Sequence, residues 1–249
     1  MSMGKLNKKK IFLHEIDSTN NYANQLILSN AAEEGTVVMT SFQNNGKGQA
    51  KNSWESEVGK NLLASIILFP KFLHSGKQFL LSKAISLSIV EFLKSEISGV
   101  LIKWPNDIYA GNKKIAGILI ENSVKGANLF TSVIGFGINL NQEKFLSEAP
   151  NPVSLKQLTG KDFNIEKVLT EIIELFGEWY RILKTGDSSE VDSAYFTQLY
   201  RKEEWSTYSC KGQLFEGKIV GIGRFGQLQL ELVSGEIKEY MFKEVEFVI

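Results

Sequence analysis

Residues 62–69, Leu-Leu-Ala-Ser-Ile-Ile-Leu-Phe followed by Pro70, constrain this chain more than any other segment. The run is apolar except for Ser65, and far too short to cross a bilayer. An apolar run of this length, ended by a proline, reads as a strand buried in a core. Residues 79–93 read as a helix with apolar side chains on most faces: Leu80, Ala84 and Leu87, then Ile85, Ile89 and Phe92. Such a helix is expected to be well buried. Ile165, Val168, Leu169, Ile172, Ile173, Phe176, Trp179, Tyr180 and Leu183 keep strict helical spacing and predict an amphipathic helix. With 16 Phe, 4 Trp and 7 Tyr among 249 residues, a disordered chain would strand its aromatics in water. The length suffices for a real core without disulfides or metals.

The remaining segments complete an α+β pattern. Residues 11–16 read as a strand, followed by Asp17-Ser18-Thr19-Asn20 and a helix bearing Tyr22, Ala23, Leu26 and Ile27. Residues 35–40 form a β-branched strand, and residues 41–53 a polar loop longer than a mere connection needs. Residues 100–102 are a strand leading into Trp104-Pro105-Asn106-Asp107. Residues 108–110 and 114–121 flank Gly111-Asn112 as a hairpin, and residues 130–140 are a further strand. After Gly186-Asp187-Ser188-Ser189 another helix is expected, ending near Trp205. Beyond it the texture changes: Leu228, Leu230 and Leu232 alternate, and Gly217, Gly221, Gly223, Gly226 and Gly235 punctuate short strands, the pattern of a small β-barrel or sandwich. Two domains are expected, residues 1–204 and 205–249.

Composition excludes several chemistries. Lys+Arg and Asp+Glu both total 28, so the basic excess usual for nucleic-acid binding is absent and no DNA partner is expected. Cys210 is the only cysteine, which rules out an intrachain disulfide; His14 and His74 are the only histidines, which rules out a Cys/His zinc cage. Neither histidine has a nucleophile signature nearby. Residues 1–10 are basic but lack the apolar segment of a signal peptide, so a cytoplasmic protein without membrane attachment is expected.

Five segments could carry chemistry. The loop Gln43 to Trp54, QNNGKGQAKNSW, has glycines at 46 and 48 that allow close backbone approach and aim amides at an anion. Lys47 and Lys51 add charge; Gln43, Gln49 and Asn52 add polar partners. It is neither a Walker A loop nor a Rossmann fingerprint. In Lys103-Trp104-Pro105-Asn106-Asp107, Pro105 pushes Trp104 out of the helical region. Lys114 beside Ala116 and Gly117 is suited to reach over bare backbone as a point charge for phosphate. Asn139 and Asn141, after Gly135 and Gly137, share one strand face. Ser18-Thr19-Asn20 reads as a helix N-cap, where free amides cluster. Each segment also has a plain structural reading: surface loop, strand-ending turn, solvated lysine pair, bulge or cap.

In order and spacing these segments together resemble the biotin protein ligase family, whose usual forms are STN, GRGRxGRxW, KWPND, KxAGILIE and GIGINxN. The resemblance is close from residue 11 to 141 and extends to the rest in layout. It implies an α+β catalytic domain with a mixed sheet, related to class II aminoacyl-tRNA synthetases, plus an SH3-like C-terminal domain. It implies that biotin and ATP, with Mg2+, give biotinyl-5′-AMP and pyrophosphate. The biotinyl group then passes to a lysine of the biotin carboxyl carrier protein of a biotin-dependent carboxylase. Carried over by position, Ser18, Thr19, Asn20 and Gln43 would hold the biotin ring and its ureido group. Gly46, Lys47, Gly48 and Gln49 would close over biotin and adenylate, and Gly117 and Leu119 would lie against biotin. Lys114 would contact the biotin carboxylate and reacting phosphate. Trp54, Lys103, Asn106, Asn139 and Asn141 would serve the nucleotide. Lys114, Lys47 and Asp107 would be catalytic, Asp107 as base for the acceptor lysine.

The loop departs from the family form. Lys47, Gln49 and Asn52 stand in place of arginines, and Lys51 in place of a glycine. Lysine keeps charge without bidentate geometry, so the adenylate is expected to be held less tightly. Some relatives carry an N-terminal helix-turn-helix domain; so few residues precede Ser18 that a ligase without DNA binding is expected, as monomer or homodimer. Two other readings stay open: a lipoate or octanoate ligase, whose usual Arg-Arg-x-x-Gly-Gly-Gly loop is absent, and a non-catalytic biotin-binding sensor.

Overall fold

The computed structural model describes Leu6 and residues 9–48, 53–146 and 151–248. Seven strands form the first sheet: β1 (Lys10–Ile16), β2 (Thr36–Gln43), β3 (Leu62–Leu68), β4 (Val100–Lys103), β5 (Asp107–Ala110), β6 (Lys113–Lys125) and β7 (Asn128–Ile138). Their order is β1-β2-β3-β7-β6-β5-β4. Only β1 and β2 run parallel; every other neighbour pair is antiparallel. The apolar run at 62–69 thus becomes β3, paired on both edges, and all seven of its residues are buried.

Period two divides β3 between two environments. Leu62, Ala64, Ile66 and Leu68 join the main core beneath the helices α2 (Phe79–Glu96) and α4 (Ile165–Thr185). On the other face Ile67 packs with Val38, Val133 and Ala23, the last from α1 (Thr19–Leu28). Ser65 lies on that second face, which is why a hydroxyl interrupts the run.

Helix α4 follows the expected periodicity, with Val168, Leu169, Ile172, Ile173, Phe176, Tyr180 and Leu183 buried. Asn164 caps its start by accepting from the Lys167 N–H at 3.0 Å, and Gly186 ends it at φ 89°. Two short helices, α3 (Leu155–Thr159) and α5 (Ser189–Thr197), flank it. The helix expected to run towards Trp205 stops at Thr197. Residues 198–200 instead pair with the outer edge of β4: Ile102 N–H donates to Gln198 O and Tyr200 N–H to Ile102 O, both at 2.8 Å. Left-handed residues at Arg201 and Glu203 then turn the chain. The polar loop also starts later than expected, because Ser41–Gln43 still belong to β2.

Trp205 opens a second, antiparallel sheet of β8 (Trp205–Cys210), β9 (Gln213–Ile222), β10 (Leu228–Leu232), β11 (Ile237–Tyr240) and β12 (Glu246–Phe247), ordered β11-β10-β9-β8-β12. Its apolar residues Tyr208, Ile219, Leu228, Leu230 and Val245 join the main core. The indole N–H of Trp104 donates to Gly226 O at 2.8 Å, and its ring lies 5.4 Å from that of Phe242. Among the described residues no helix is long and apolar enough to cross a membrane.

Candidate functional site

The second face of the central strands is hollow where the start of α1, the end of β2 and strands β3, β6 and β7 meet. The recess is lined by Ser18, Thr19, Asn20, Gln43, Lys47, Gly48 and Trp54, and by Asn106, Lys114, Gly117 and Leu119. These residues lie up to a hundred positions apart, and the sheet register gathers them.

The glycines of β6 and β7 make room for other side chains. Gly117 and Gly137 sit opposite one another in register, and the Trp54 ring lies over both. A Cβ on Gly137 would come within 2.5 Å of Trp54 Cε2, and one on Gly117 within 2.9 Å of Cζ3. A Cβ on Gly135 would collide with the Asn20 carboxamide. The loop is pinched at its base: Trp54 N–H donates to Gly46 O at 2.9 Å, and Lys47 bridges Ser53. Gly46 has no space for a side chain there, since its Cβ would lie 2.7 Å from Trp54 O. Gln49, with Lys51 and Asn52, falls outside the described residues.

Below the recess runs a chain of polar groups. Ser18 occupies the N-cap position of α1 in extended conformation, but its side chain makes no capping hydrogen bond. Gln43 caps the helix instead, its Oε1 accepting from the Thr19 N–H at 2.7 Å. The same oxygen lies 3.1 Å from Thr19 Oγ1. Thr19 Oγ1 is 2.8 Å from Ser65 Oγ, which is 2.7 Å from Asn20 Oδ1. Asn20 Nδ2 donates to Glu121 Oε2 at 3.1 Å and to Leu119 O at 3.3 Å. Asn24 Nδ2 donates to the same carboxylate oxygen at 3.0 Å. Thr19, Asn20 and Ser65 are all buried.

The protons in this chain can be counted. The Thr19 amide identifies the Gln43 atom as oxygen, and the Glu121 carboxylate identifies the far Asn20 atom as nitrogen. Both ends of the sequence Asn20 Oδ1, Ser65 hydroxyl, Thr19 hydroxyl, Gln43 Oε1 are therefore acceptors. Three contacts share the two hydroxyl protons, so one contact always lacks a proton. The floor of the recess is therefore richer in acceptors than in donors.

The other end of the recess is charged. Lys114 Nζ and Asp107 Oδ1 are 2.6 Å apart, both side chains mostly shielded, and Nζ lies 5.7 Å from the centre of the Trp54 ring. Asn106 is held to β6 by its Nδ2 donating to Ile118 O at 2.7 Å. Lys47 Nζ donates to Asn21 Oδ1 at 2.5 Å. Asn21 also hydrogen-bonds Asp17, and this bond is the main cause holding the Asp17 carboxyl below its ordinary range; the charge of Lys47 contributes.

Asp107 and Gly46 lie just behind the lining, while Lys103, Asn139 and Asn141 stand apart from the recess. Lys103 reaches the second sheet, with Nζ 5.2 Å from the Tyr109 ring centre and 5.1 Å from that of Phe247. Burial there pushes its ammonium pKa down, while Asp107 pulls it the other way. Asn141 exchanges hydrogen bonds with the backbone of Phe163, 2.9 Å as donor and 2.8 Å as acceptor, and so anchors the approach to α4. Asn139 is buried behind the strand end; its Nδ2 donates to Val153 O at 3.2 Å and its Oδ1 has no partner among the described residues. His14 lies on the edge strand beside Phe12, and His74 Nδ1 accepts from the Gly76 N–H at 3.0 Å. Sequence reasoning does not single out Ser65, Glu121 or Asn24. Ser65 carries a signal, as the one polar residue in the run; Glu121 carries another, sharing strand parity with Gly117 and Leu119.

Residues 12–139 match the model of the biotin/lipoate A/B protein ligase family. The chain is 31% identical over 246 residues to the bifunctional ligase/repressor BirA of Bacillus spizizenii, covering 92% of this chain and 71% of that protein. It is 27% identical over 201 residues to the biotin--[acetyl-CoA-carboxylase] ligase of Paracoccus denitrificans, covering 77% of this chain and 81% of that one. The biotin protein ligase of Aquifex aeolicus, solved in complex with biotin and ATP, superposes with a TM-score of 0.81 at 27% identity, covering 97% of this chain and all of the other.

Proposed function

This chain belongs to the biotin/lipoate A/B protein ligase family, and from that membership we propose that it works as a biotin protein ligase: it adenylates biotin with ATP and transfers the biotinyl group to a lysine of a biotin carboxyl carrier protein. The observation that carries the reading within the family is the proton-short floor. A ureido ring brings N–H donors to it. A dithiolane ring or an octanoyl chain brings none and would gain nothing from the lone pairs this acceptor-rich floor presents.

In the first step a biotin carboxylate oxygen attacks the α-phosphorus of ATP, and the bond to pyrophosphate breaks. Two anions must meet, and Lys114 is the cation at that end of the recess. Asp107 holds the ammonium in place through their 2.6 Å contact. Among the described residues no group of three or more His, Cys, Asp or Glu could hold a metal. Magnesium usually keeps several waters and binds through substrate phosphates, so an ion arriving with the nucleotide would be held chiefly by the phosphates. Asn106 and Trp54 serve the nucleotide in this reading. Asn139, Lys103 and Asn141 brace the strand ends around it. The loop closing on its pinched base, with Gly46, Lys47 and Gly48, keeps water from the mixed anhydride. In the second step the acceptor amine attacks the acyl carbon and AMP leaves, with Asp107 taking the amine proton. The second sheet from Trp205 onward is a C-terminal domain in this reading, one that shares the main core with the first.

The test mixes the protein with biotin, ATP, magnesium and a carrier domain, following carrier mass and pyrophosphate. The expected result is one biotinyl group on one carrier lysine. Lys114→Ala should slow pyrophosphate release by about a hundredfold or more. Turnover with lipoate instead of biotin would support the related acyl ligase. Biotin binding without pyrophosphate would support a sensor.

A further inference from the structure

We propose that Glu121 sets the preference of the recess for a ring bearing N–H groups, acting through Asn20 as a positioning residue. The proposal rests on the biotin reading and names what enforces it.

A carboxamide has two orientations of nearly equal shape, and its neighbours decide which atom faces where. The Asn20 amide is boxed in. It lies so close over Gly135 that a Cβ there would collide with it, leaving rotation in place as its main freedom. On one side it meets Ser65 Oγ at 2.7 Å; on the other it meets Glu121 Oε2 at 3.1 Å and Leu119 O at 3.3 Å. Both atoms on the far side are acceptors, so nitrogen must face them and oxygen must face Ser65. The carboxylate is itself held from α1 by Asn24 at 3.0 Å. Glu121 makes no ion pair among the described residues; the partners shown for it are these two amides.

The consequence lies one step away, at the floor. With the Asn20 oxygen facing Ser65, the chain to Gln43 is short of one proton, and its oxygens present lone pairs to which a ligand N–H can donate. With the amide reversed, Asn20 would donate to Ser65, Ser65 to Thr19 and Thr19 to Gln43. Every contact would then have its proton, and the recess would gain little from a donor in the ligand. Glu121 lines none of the recess, yet its charge and position hold the floor in the accepting state.

The experiment measures dissociation constants for biotin and for analogues in which one or the other ureido N–H is replaced by a ring oxygen. It compares the wild type with Glu121→Leu, Glu121→Gln and Asn24→Ala. Wild type should prefer biotin over at least one analogue by about tenfold or more. Glu121→Leu keeps the bulk and removes the carboxylate, leaving Leu119 O at 3.3 Å as the weaker acceptor; its ratio should fall about threefold or more, with KM for biotin rising and kcat at saturating biotin little changed. Glu121→Gln retains an accepting oxygen and should keep most of the wild-type ratio. Asn24→Ala loosens the carboxylate and should move the ratio in the same direction by less, which keeps the test alive if the leucine variant does not fold. An unchanged ratio in both Glu121→Leu and Asn24→Ala, or equal losses in the leucine and glutamine variants, would overturn the proposal. A wild type that binds no biotin would overturn the ligase reading and this inference together; biotin binding with no preference over the oxygen analogues would overturn the inference alone.

Discussion

The two faces of β3 come from one strand of seven residues and have opposite characters. One face, Leu62, Ala64, Ile66 and Leu68, meets α2 and α4 in a close-packed apolar core. The other carries Ser65 into a hydrogen-bonded chain beneath a recess, flanked by strands whose glycines leave room for Trp54 and Asn20. Burial is complete on both sides, so burial alone does not separate them. The difference is chemical: the first face is satisfied by apolar contact, while the second holds a chain of polar groups richer in acceptors than in donors. A sheet can therefore devote one side to stability and the other to recognition, with alternate residues of one strand serving each.

That division can be broken experimentally. The largest effect is expected on the packed face. Phe176→Ala removes a fully buried ring beneath the sheet and should cost about 3–5 kcal/mol of unfolding free energy. Biotin affinity of the folded protein should stay within about twofold of wild type, as read by denaturant melts and by titration at low temperature. A large loss of affinity would mean that the two faces are coupled.

The complementary change is Ser65→Ala. It removes the middle hydroxyl of the polar chain and should weaken biotin binding by about tenfold, while unfolding free energy changes by about 1 kcal/mol. If stability fell as far as in Phe176→Ala with affinity intact, the second face would be structural too.

A smaller effect sharpens the comparison at the outer surface of the helical layer. Glu91 on α2 accepts from the Trp179 indole of α4 at 3.1 Å. Partial burial is the main cause raising its carboxyl above the ordinary 4.5, with Glu178 adding to it and Trp179 opposing. A carboxyl raised on folding favours the protonated native state. Its stabilising contribution is present below the unfolded pKa and is lost as pH rises through the folded value. Glu91→Gln should flatten the stability profile in the interval just above pH 4.5, measured by melts across pH 4 to 7, and leave biotin affinity unchanged. A profile identical to wild type would refute this.

Much of the frame is legible in the sequence. The uninterrupted apolar character of β3 and the strict spacing of α4 leave little choice of conformation, because both record how many sides of an element must avoid water. Ser18, Thr19, Asn20, Gln43, Lys114, Gly117 and Leu119 are candidates by their motifs, and the sheet brings them to one recess. The end of α5 is not legible, since residues 198–200 are drawn onto the edge of β4 by hydrogen bonds to Ile102, far away in sequence. The orientation of Lys103 is equally hidden; its ammonium turns to aromatic rings on β5 and β12 rather than to the recess.

The sequence by itself determined which segments are strands and helices, which sides of them are apolar, and which polar and glycine residues cluster by spacing. These follow from local periodicity and backbone preference, which each segment carries alone. Only the tertiary structure decided which atom of each polar group faces which neighbour. Ser65 meets Asn20 across 45 residues, and Asn20 meets Glu121 across 101. A proton count along such a chain exists only once the strands that bear it lie side by side.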